Sequence, residues 1–267
     1  MTTYLFIDGG YLRTNYVKSI RPWFGCDGEI DFESLRGRLR TGDLERCFYY
    51  DALEDEPRTG ETSELFKSRV EHDEAFFTKI EDLDGYFVRL GSLTGGRNRR
   101  QKKVDILLAV EALDHAVRRN MDRAILLTGD RDFEPLVTSL VQLGIHVEVA
   151  GDRTTTSRYL RRAADAYRPL SFQDYYKWTV ESVRETAPLA VRPVGSNLQE
   201  SDVFESGTFQ GKKVELRRVR HTGMYYLHIE QFHDLQNHLT LELNEVERLK
   251  LYFRLQYGEI DWHHSKS

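Results

Sequence analysis

Over roughly the first two thirds of the chain, short apolar runs alternate with longer stretches whose apolar residues recur every three or four positions. That pattern predicts strands followed by helices. Residues 3–8 are apolar and end in Asp8-Gly9-Gly10, a strand running into a turn, and Tyr11–Ser19 then has helical spacing. Further strands are predicted at Cys47–Tyr50, Tyr86–Leu90, Ala124–Thr128 and His146–Ala150. Helices are predicted at Asp31–Leu39, Glu61–Leu83, Val104–Arg119, Phe133–Leu143 and Thr156–Ala166. Gly91–Lys103 is rich in glycine and base, has no periodicity, and reads as a loop. Strands alternating with helices predict an α/β fold with a mainly parallel sheet and right-handed crossovers.

The character then changes. After a further predicted helix over Asp174–Glu185, Pro188–Asp202 carries Pro188, Pro193, Gly195 and Ser196 without periodicity and reads as a linker. Beyond it, Val214–Arg220, Met224–Ile229 and Leu239–Leu243 have the length of short strands. Asn244-Glu245-Val246-Glu247 has the form of a helix start leading to about Leu255. The expected division is a domain of residues 1–186, a linker of 187–203 and a small β-rich module with one helix over 204–267. A module that small is near the lower limit for independent folding, so docking or homo-oligomerisation through it is expected.

Composition narrows this little. The 267 residues, 40% hydrophobic, can build one large α/β domain with an appendage. A net charge of −5 gives no global attraction to nucleic acid, so a polyanion must be held by local basic patches and by metal. Cys26 and Cys47 form no CxxC pair, which argues against a disulfide framework or structural zinc and fits a reducing, cytoplasmic setting. No apolar run approaches the length of a membrane span, and a soluble protein is expected.

Carboxylates supply the chemistry. Asp8 stands where a buried strand emerges, and Asp130 and Asp132 flank Arg131 after the apolar Ile125–Leu127 and Thr128-Gly129. In open α/β sheets, acids at two strand ends converge in the crevice beyond the carboxyl edge. Asp105 falls at the start of the predicted helix between them. Each acid alone has a local explanation: an Asx turn for Asp8, a cap of the Phe133 helix for Asp132, a helix-start role for Asp105. Jointly, converging like charges repel unless a cation neutralises them. Oxygen-only ligands favour Mg²⁺ or Mn²⁺, and phosphoryl chemistry follows, since such ions share the phosphate oxygens of substrates. Glu111 lies on a stripe with Asp114, His115 and Arg118 that reads as solvated. Thr128 could orient an acid or a water.

Arg97, Arg99, Arg100, Lys102 and Lys103 put five positive charges just ahead of Asp105, where they could grip a phosphate backbone. Arg153, Arg158, Arg161 and Arg162 could extend that rim, Arg131 sits between two of the acids, and Tyr11, Tyr16 and Phe133 are candidates for base stacking or for the core. His221, His228, His233 and His238 match no zinc spacing. The Walker A, GxGxxG and GxSxG patterns are absent, which removes the usual support for nucleotide hydrolase, dinucleotide and serine hydrolase readings.

Phe6-Ile7-Asp8-Gly9-Gly10-Tyr11-Leu12, then Lys102–Leu108, then Leu126–Val137, with Ala163-Ala164-Asp165-Ala166-Tyr167 closing, resemble the NYN family, a branch of the PIN-like nucleases that includes the bacterial LabA-type proteins. The resemblance covers about residues 1–172. It implies a Rossmann-like three-layer sandwich, metal-dependent RNA cleavage, and an acidic site of Asp8, Asp105, Asp130 and Asp132. Two positions depart from it: Tyr11 stands where many relatives have Asn, and Glu111 where they often have Asp. Over Lys212–Arg218 and Leu239–Tyr252 the C-terminal module resembles single-stranded nucleic-acid-binding domains, and a dimerisation role explains it equally well.

The expected function is a Mg²⁺- or Mn²⁺-dependent endoribonuclease acting on single-stranded or loop RNA. Asp8, Asp105 and Asp130 are the expected principal ligands, with Asp132 a ligand or a water-orienting base. Alternatives are a non-catalytic RNA- or protein-binding regulator, and a metal-dependent DNase or phosphatase using the same acids.

Overall fold

The computed structural model describes residues 1–40, 43–53, 56–91, 97–189, 200–229, 241–243 and 245–263. The chain divides into two compact units, Met1–Lys18 with Ile30–Leu170 and Ser19–Glu29 with Ser171–Ser267.

In the first unit the elements run β1 (Thr2–Asp8), α1 (Gly9–Phe24, which continues into the second unit), α2 (Phe32–Leu39), β2 (Asp43–Ala52), α3 (Ser63–Glu81) and β3 (Tyr86–Gly91). They continue through α4 (Arg97–Val117), β4 (Arg123–Leu127), α5 (Glu134–Gln142), β5 (His146–Asp152), α6 (Arg158–Ala163) and β6 (Ala166–Leu170). The six strands form one parallel sheet in the order β3-β2-β1-β4-β5-β6. A parallel sheet is covered on both faces, which is why Tyr4–Ile7 and Ala124–Leu127 are continuous apolar runs and are buried throughout. Tyr4, Phe6, Phe48, Tyr50, Ala124 and Leu126 pack on one face with Leu108 and Ala112 of α4 and with Leu136, Val137 and Leu140 of α5. Each of the three α5 side chains contributes about 1.5–3 kcal/mol by leaving water. On the opposite face Tyr49 meets Phe32 of α2 and Phe76 and Phe77 of α3. Helix starts follow the capping rule, with Asp31 accepting from the Ser34 amide and Thr62 from that of Leu65.

The α/β expectation holds, with local corrections. Gly9 and Gly10 are the first residues of α1, not a turn ahead of it. The predicted loop over Gly91–Lys103 is helical from Arg97, so α4 begins about two turns earlier than apolar periodicity suggested. Arg, Lys and Gln are good helix formers but give no hydrophobic signal. The strand β6 went unpredicted because Pro169 lies within it, which an edge strand tolerates.

In the second unit, α7 (Phe172–Lys177) and α8 (Glu181–Arg184) replace the single helix predicted over Asp174–Glu185. Then come β7 (Ser201–Phe209), β8 (Lys212–Val219), β9 (Tyr225–Ile229), β10 (Leu241–Leu243), α9 (Val246–Gln256) and β11 (Asp261–Trp262). Their antiparallel sheet has the order β10-β9-β8-β7-β11. The helix α9 buries Leu249, Tyr252 and Phe253. Neither β7 nor β11 was predicted; β7 has too few apolar residues to stand out, and its start falls in the stretch read as linker. The capping expectation at Asn244, His233 and His238, and linker positions 190–199 lie outside the described residues. Among the described residues no helix is long and apolar enough to cross a membrane.

Candidate functional site

Strand order reverses direction at the β1–β4 neighbours, and open α/β sheets bind ligands in the crevice beyond the carboxyl ends at such a point. Asp8 is the last residue of β1, and pairing of Ile7 with Leu127 sets Thr128 beside it. One Asp8 oxygen accepts the Tyr11 amide at 3.0 Å and the other accepts the Thr128 hydroxyl at 2.9 Å. Thr128 is 1% exposed, and its Oγ1 also accepts the Asp130 amide at 3.2 Å. A single buried hydroxyl therefore ties the two strand-end turns together.

Asp130 caps a 3₁₀ turn, Arg131–Phe133, its Oδ1 accepting the Asp132 amide at 3.0 Å. The capping role expected of Asp132 thus belongs to Asp130. The helix α5 starts at Glu134 with Pro135 and without a side-chain cap, and the Asp132 side chain stands exposed. Asp105 lies two turns inside α4 rather than in its first turn, which removes the helix-start explanation for it.

The four acids share one electrostatic environment. Burial pushes Asp105 up to about 7, with the charges of Asp8, Asp130 and Asp132 adding to it. Burial likewise pushes Asp8 up to about 6; its hydrogen bonds to Tyr11 and Thr128 oppose the rise, and Asp51 and Asp130 reinforce it. Among the described residues no three His, Cys, Asp or Glu side chains form a closed ligand group. A hard divalent cation can nonetheless be held by one or two carboxylates, with water and substrate phosphate completing its shell. An oxygen-only donor set under mutual repulsion fits a hard divalent cation.

Sequence reasoning missed Asp51. It follows the apolar run Cys47–Tyr50 as Asp8 follows its own, but with no glycine behind it to mark a turn. Asp51 is 6% exposed, accepts the Tyr49 hydroxyl at 3.0 Å, and pairs with Arg13 at 2.9 Å. Arg13 also reaches Asp73 at 3.4 Å. Burial raises the Asp51 pKa, with the Arg13 charge opposing that rise. The network explains Gly9: a Cβ there would lie 2.6 Å from Oδ2 of Asp51 and from the Tyr49 hydroxyl. Gly129 is required in the same way, since a Cβ would lie 2.6 Å from the Tyr11 ring.

Tyr11 is partly buried over that turn, its hydroxyl accepting the Asp152 amide at 2.7 Å and lying 3.2 Å from the Thr155 hydroxyl. Tyr16 and Phe133 are core residues. Glu111 is not on a solvated stripe. It accepts the Tyr50 hydroxyl at 2.9 Å and pairs with Arg89 at 3.0 Å, and neighbouring His115 packs on Tyr4 and Phe48. Of the basic residues ahead of Asp105, Lys103 is exposed; the side chains of Arg97, Arg99, Arg100 and Lys102 lie outside the described residues. Arg131 reaches over the ring of Tyr159, 4.3 Å from its centroid, and Arg158 approaches the same ring at 4.9 Å. Tyr159, at 37% exposure, was another residue not foreseen; its position next to Arg158 at the start of α6 was the available signal.

Sheet order and acidic crevice define the class: a doubly wound α/β domain with carboxylates gathered at its switch point. The NYN domain model matches residues 2–171, and the chain belongs to the NYN domain family, which has a PIN-like nuclease fold. Among its relatives, the uncharacterized protein y4oD of Sinorhizobium fredii is 32% identical over 107 residues, 39% of this chain and 47% of that protein. The chain thus spans about half the length of that curated relative. A crystal structure of a protein of unknown function from Vibrio parahaemolyticus aligns with a TM-score of 0.47 and 19% identity, covering 67% of this chain and 96% of that one.

Proposed function

We propose that this chain is a divalent-metal-dependent endoribonuclease that hydrolyses phosphodiester bonds of single-stranded or loop RNA, with Mg²⁺ or Mn²⁺ as cofactor. The observation that carries the reading is the shared electrostatics of the acids: burial with the charges of Asp51 and Asp130 raises Asp8 to about 6, and burial with the charges of Asp8, Asp130 and Asp132 raises Asp105 to about 7. Family membership supports a nuclease.

Asp8, Asp105 and Asp130 are the side chains that would hold the cation. Polarisation of the scissile phosphate and a bound water of lowered pKa are what such an ion supplies when bound. Thr128 donates to Asp8 and so fixes that carboxylate against the repulsion of its neighbours. Asp132 is exposed, with its backbone held by Asp130, and on this reading it orients the attacking water or takes its proton. Arg131 and Arg158, gathered on Tyr159, offer guanidinium donors to phosphates, and the ring offers a stacking surface to an unpaired base. The proposed setting is the cytoplasm, which suits the free thiols of Cys26 and Cys47.

A non-catalytic RNA-binding role is the second reading, favoured by the lack of a closed three-residue ligand group among the described residues. Labelled single-stranded RNA, single-stranded DNA and duplex DNA, incubated at one Mn²⁺ and salt concentration with EDTA controls, separate the two. The expected result is Mn²⁺-dependent cleavage of RNA, reduced about 100-fold or more in Asp8→Asn and Asp130→Asn proteins that remain folded. RNA that binds but stays intact favours the second reading, and equal cleavage by the variants removes the site assignment.

A further inference from the structure

Beside the acids, α4 and α5 leave an open groove of about 400 Å³, within the range of clefts that hold small ligands, about 300–1,000 Å³. Asp105 and Asp132 line it together with Ile106, Ala109, Phe133 and Leu136. Its outer wall is apolar yet open to solvent, with Ile106 at 62% exposure. A mostly apolar cleft with a few convergent polar groups is the usual make-up of a small-ligand site. A phosphate does not suit the groove itself, since among the described residues its charged lining consists of the two carboxylates. A flat, largely apolar group covalently joined to a phosphate at the acids does.

On the reading of the site as an RNA phosphodiesterase, we infer that the groove between α4 and α5 receives the nucleobase adjoining the scissile phosphate. The strand would cross the acids with one base unstacked and turned into the groove. Single-stranded RNA allows this readily, because its bases can be splayed out and read by their faces and edges. Burial of the base against Ile106, Ala109 and Leu136 would fix the register of the strand, so the groove sets where the cut falls. Phe133 and Ser139 also line the groove; the Ser139 hydroxyl donates to the Pro135 carbonyl at 2.9 Å and retains the capacity to accept a bond from a base amino group.

The test uses the full chain, Mn²⁺, and a set of RNA oligonucleotides of one sequence in which each base in turn is removed to leave an abasic ribose. For the wild-type chain, removal of the base next to the cut is expected to lower kcat/KM about tenfold or to move the cut, while removal of distant bases has little effect. Ala109→Phe, which fills the groove from a helix face already partly open, is expected to lower kcat/KM on intact RNA about tenfold and to abolish the difference between intact and abasic substrates. Ile106→Ala, at an exposed position with little bearing on folding, is expected to give a smaller loss in the same direction. Cleavage indifferent to every abasic position removes the base site and leaves the nuclease reading intact. An Ala109→Phe protein that cleaves as wild type but changes its oligomeric state also overturns the inference and marks the groove as a subunit contact. Absence of Mn²⁺-dependent turnover on every RNA overturns the nuclease reading and this inference together.

Discussion

Asp8 accepts two hydrogen bonds and still has its pKa raised to about 6, because burial outweighs them and because Asp51 and Asp130 add negative charge. Asp105, raised to about 7, follows the same logic. Both lie above the ordinary carboxylate value, so the folded state holds these protons more tightly than the unfolded chain. The stability they contribute is fully present below about pH 4 and is lost as pH rises through about 6 for Asp8 and about 7 for Asp105. Thermal melts of the metal-free protein in EDTA should therefore fall from pH 5 to pH 8. The Asp8→Asn protein should show a shallower fall and be more stable than wild type at pH 8 by about 1–2 kcal/mol. Mn²⁺ should restore wild-type stability, and more strongly as pH rises. Melts in EDTA that do not depend on pH in either protein would overturn this electrostatic account. At this scale the sequence was informative where a glycine adjoined an acid at a strand end: Asp8 before Gly9 and Asp130 after Gly129 could be picked out from strand, turn and carboxylate alone. Asp51 could not, because its environment is made by Arg13, Tyr49 and Asp73, which only tertiary packing brings together.

The elements explain the other successes and failures of the sequence reading. Strands β1 and β4 were legible because buried parallel strands are continuously apolar. The first turns of α4 were not, because Arg97–Lys103 has helix-forming residues without an apolar stripe, and their helical state moves Asp105 into the body of the helix. The division of labour between Asp130 and Asp132 was misjudged because a 3₁₀ turn precedes α5, a geometry that hydrophobic spacing does not encode. On α6 the consequence is experimental. Arg131 and Arg158 converge on Tyr159, and if both guanidinium groups meet RNA phosphates, each releases counterions from the strand. Anisotropy titrations of single-stranded RNA in EDTA should show weaker binding for the Arg131→Gln, Arg158→Gln double variant. The slope of log affinity against log salt should be shallower by about 0.7 for each charge removed. An unchanged slope would mean that these cations serve only to pack on Tyr159.

Across the whole molecule, a net charge of −5 is compatible with a nucleic-acid substrate because Arg131 and Arg158 gather on Tyr159 while acidic repulsion is concentrated around Asp8 and Asp105. The sheet order accounts for that gathering: Asp8 and Thr128 are 120 residues apart in sequence but adjacent at the β1–β4 switch point. Neither turn is diagnostic alone, since each also does ordinary capping work. Their connection through Thr128 and their shared repulsion with Asp105 are what distinguish a site from two turns. Anomalous diffraction from crystals of the full chain soaked in Mn²⁺ at pH 8, where the acids are ionised, tests this most directly. The account predicts a manganese peak within direct ligand distance of at least one of Asp8, Asp105 and Asp130, with the remaining acids facing its waters. No peak among these residues at saturating Mn²⁺, or an equally strong peak in the Asp8→Asn, Asp105→Asn double variant, would contradict it.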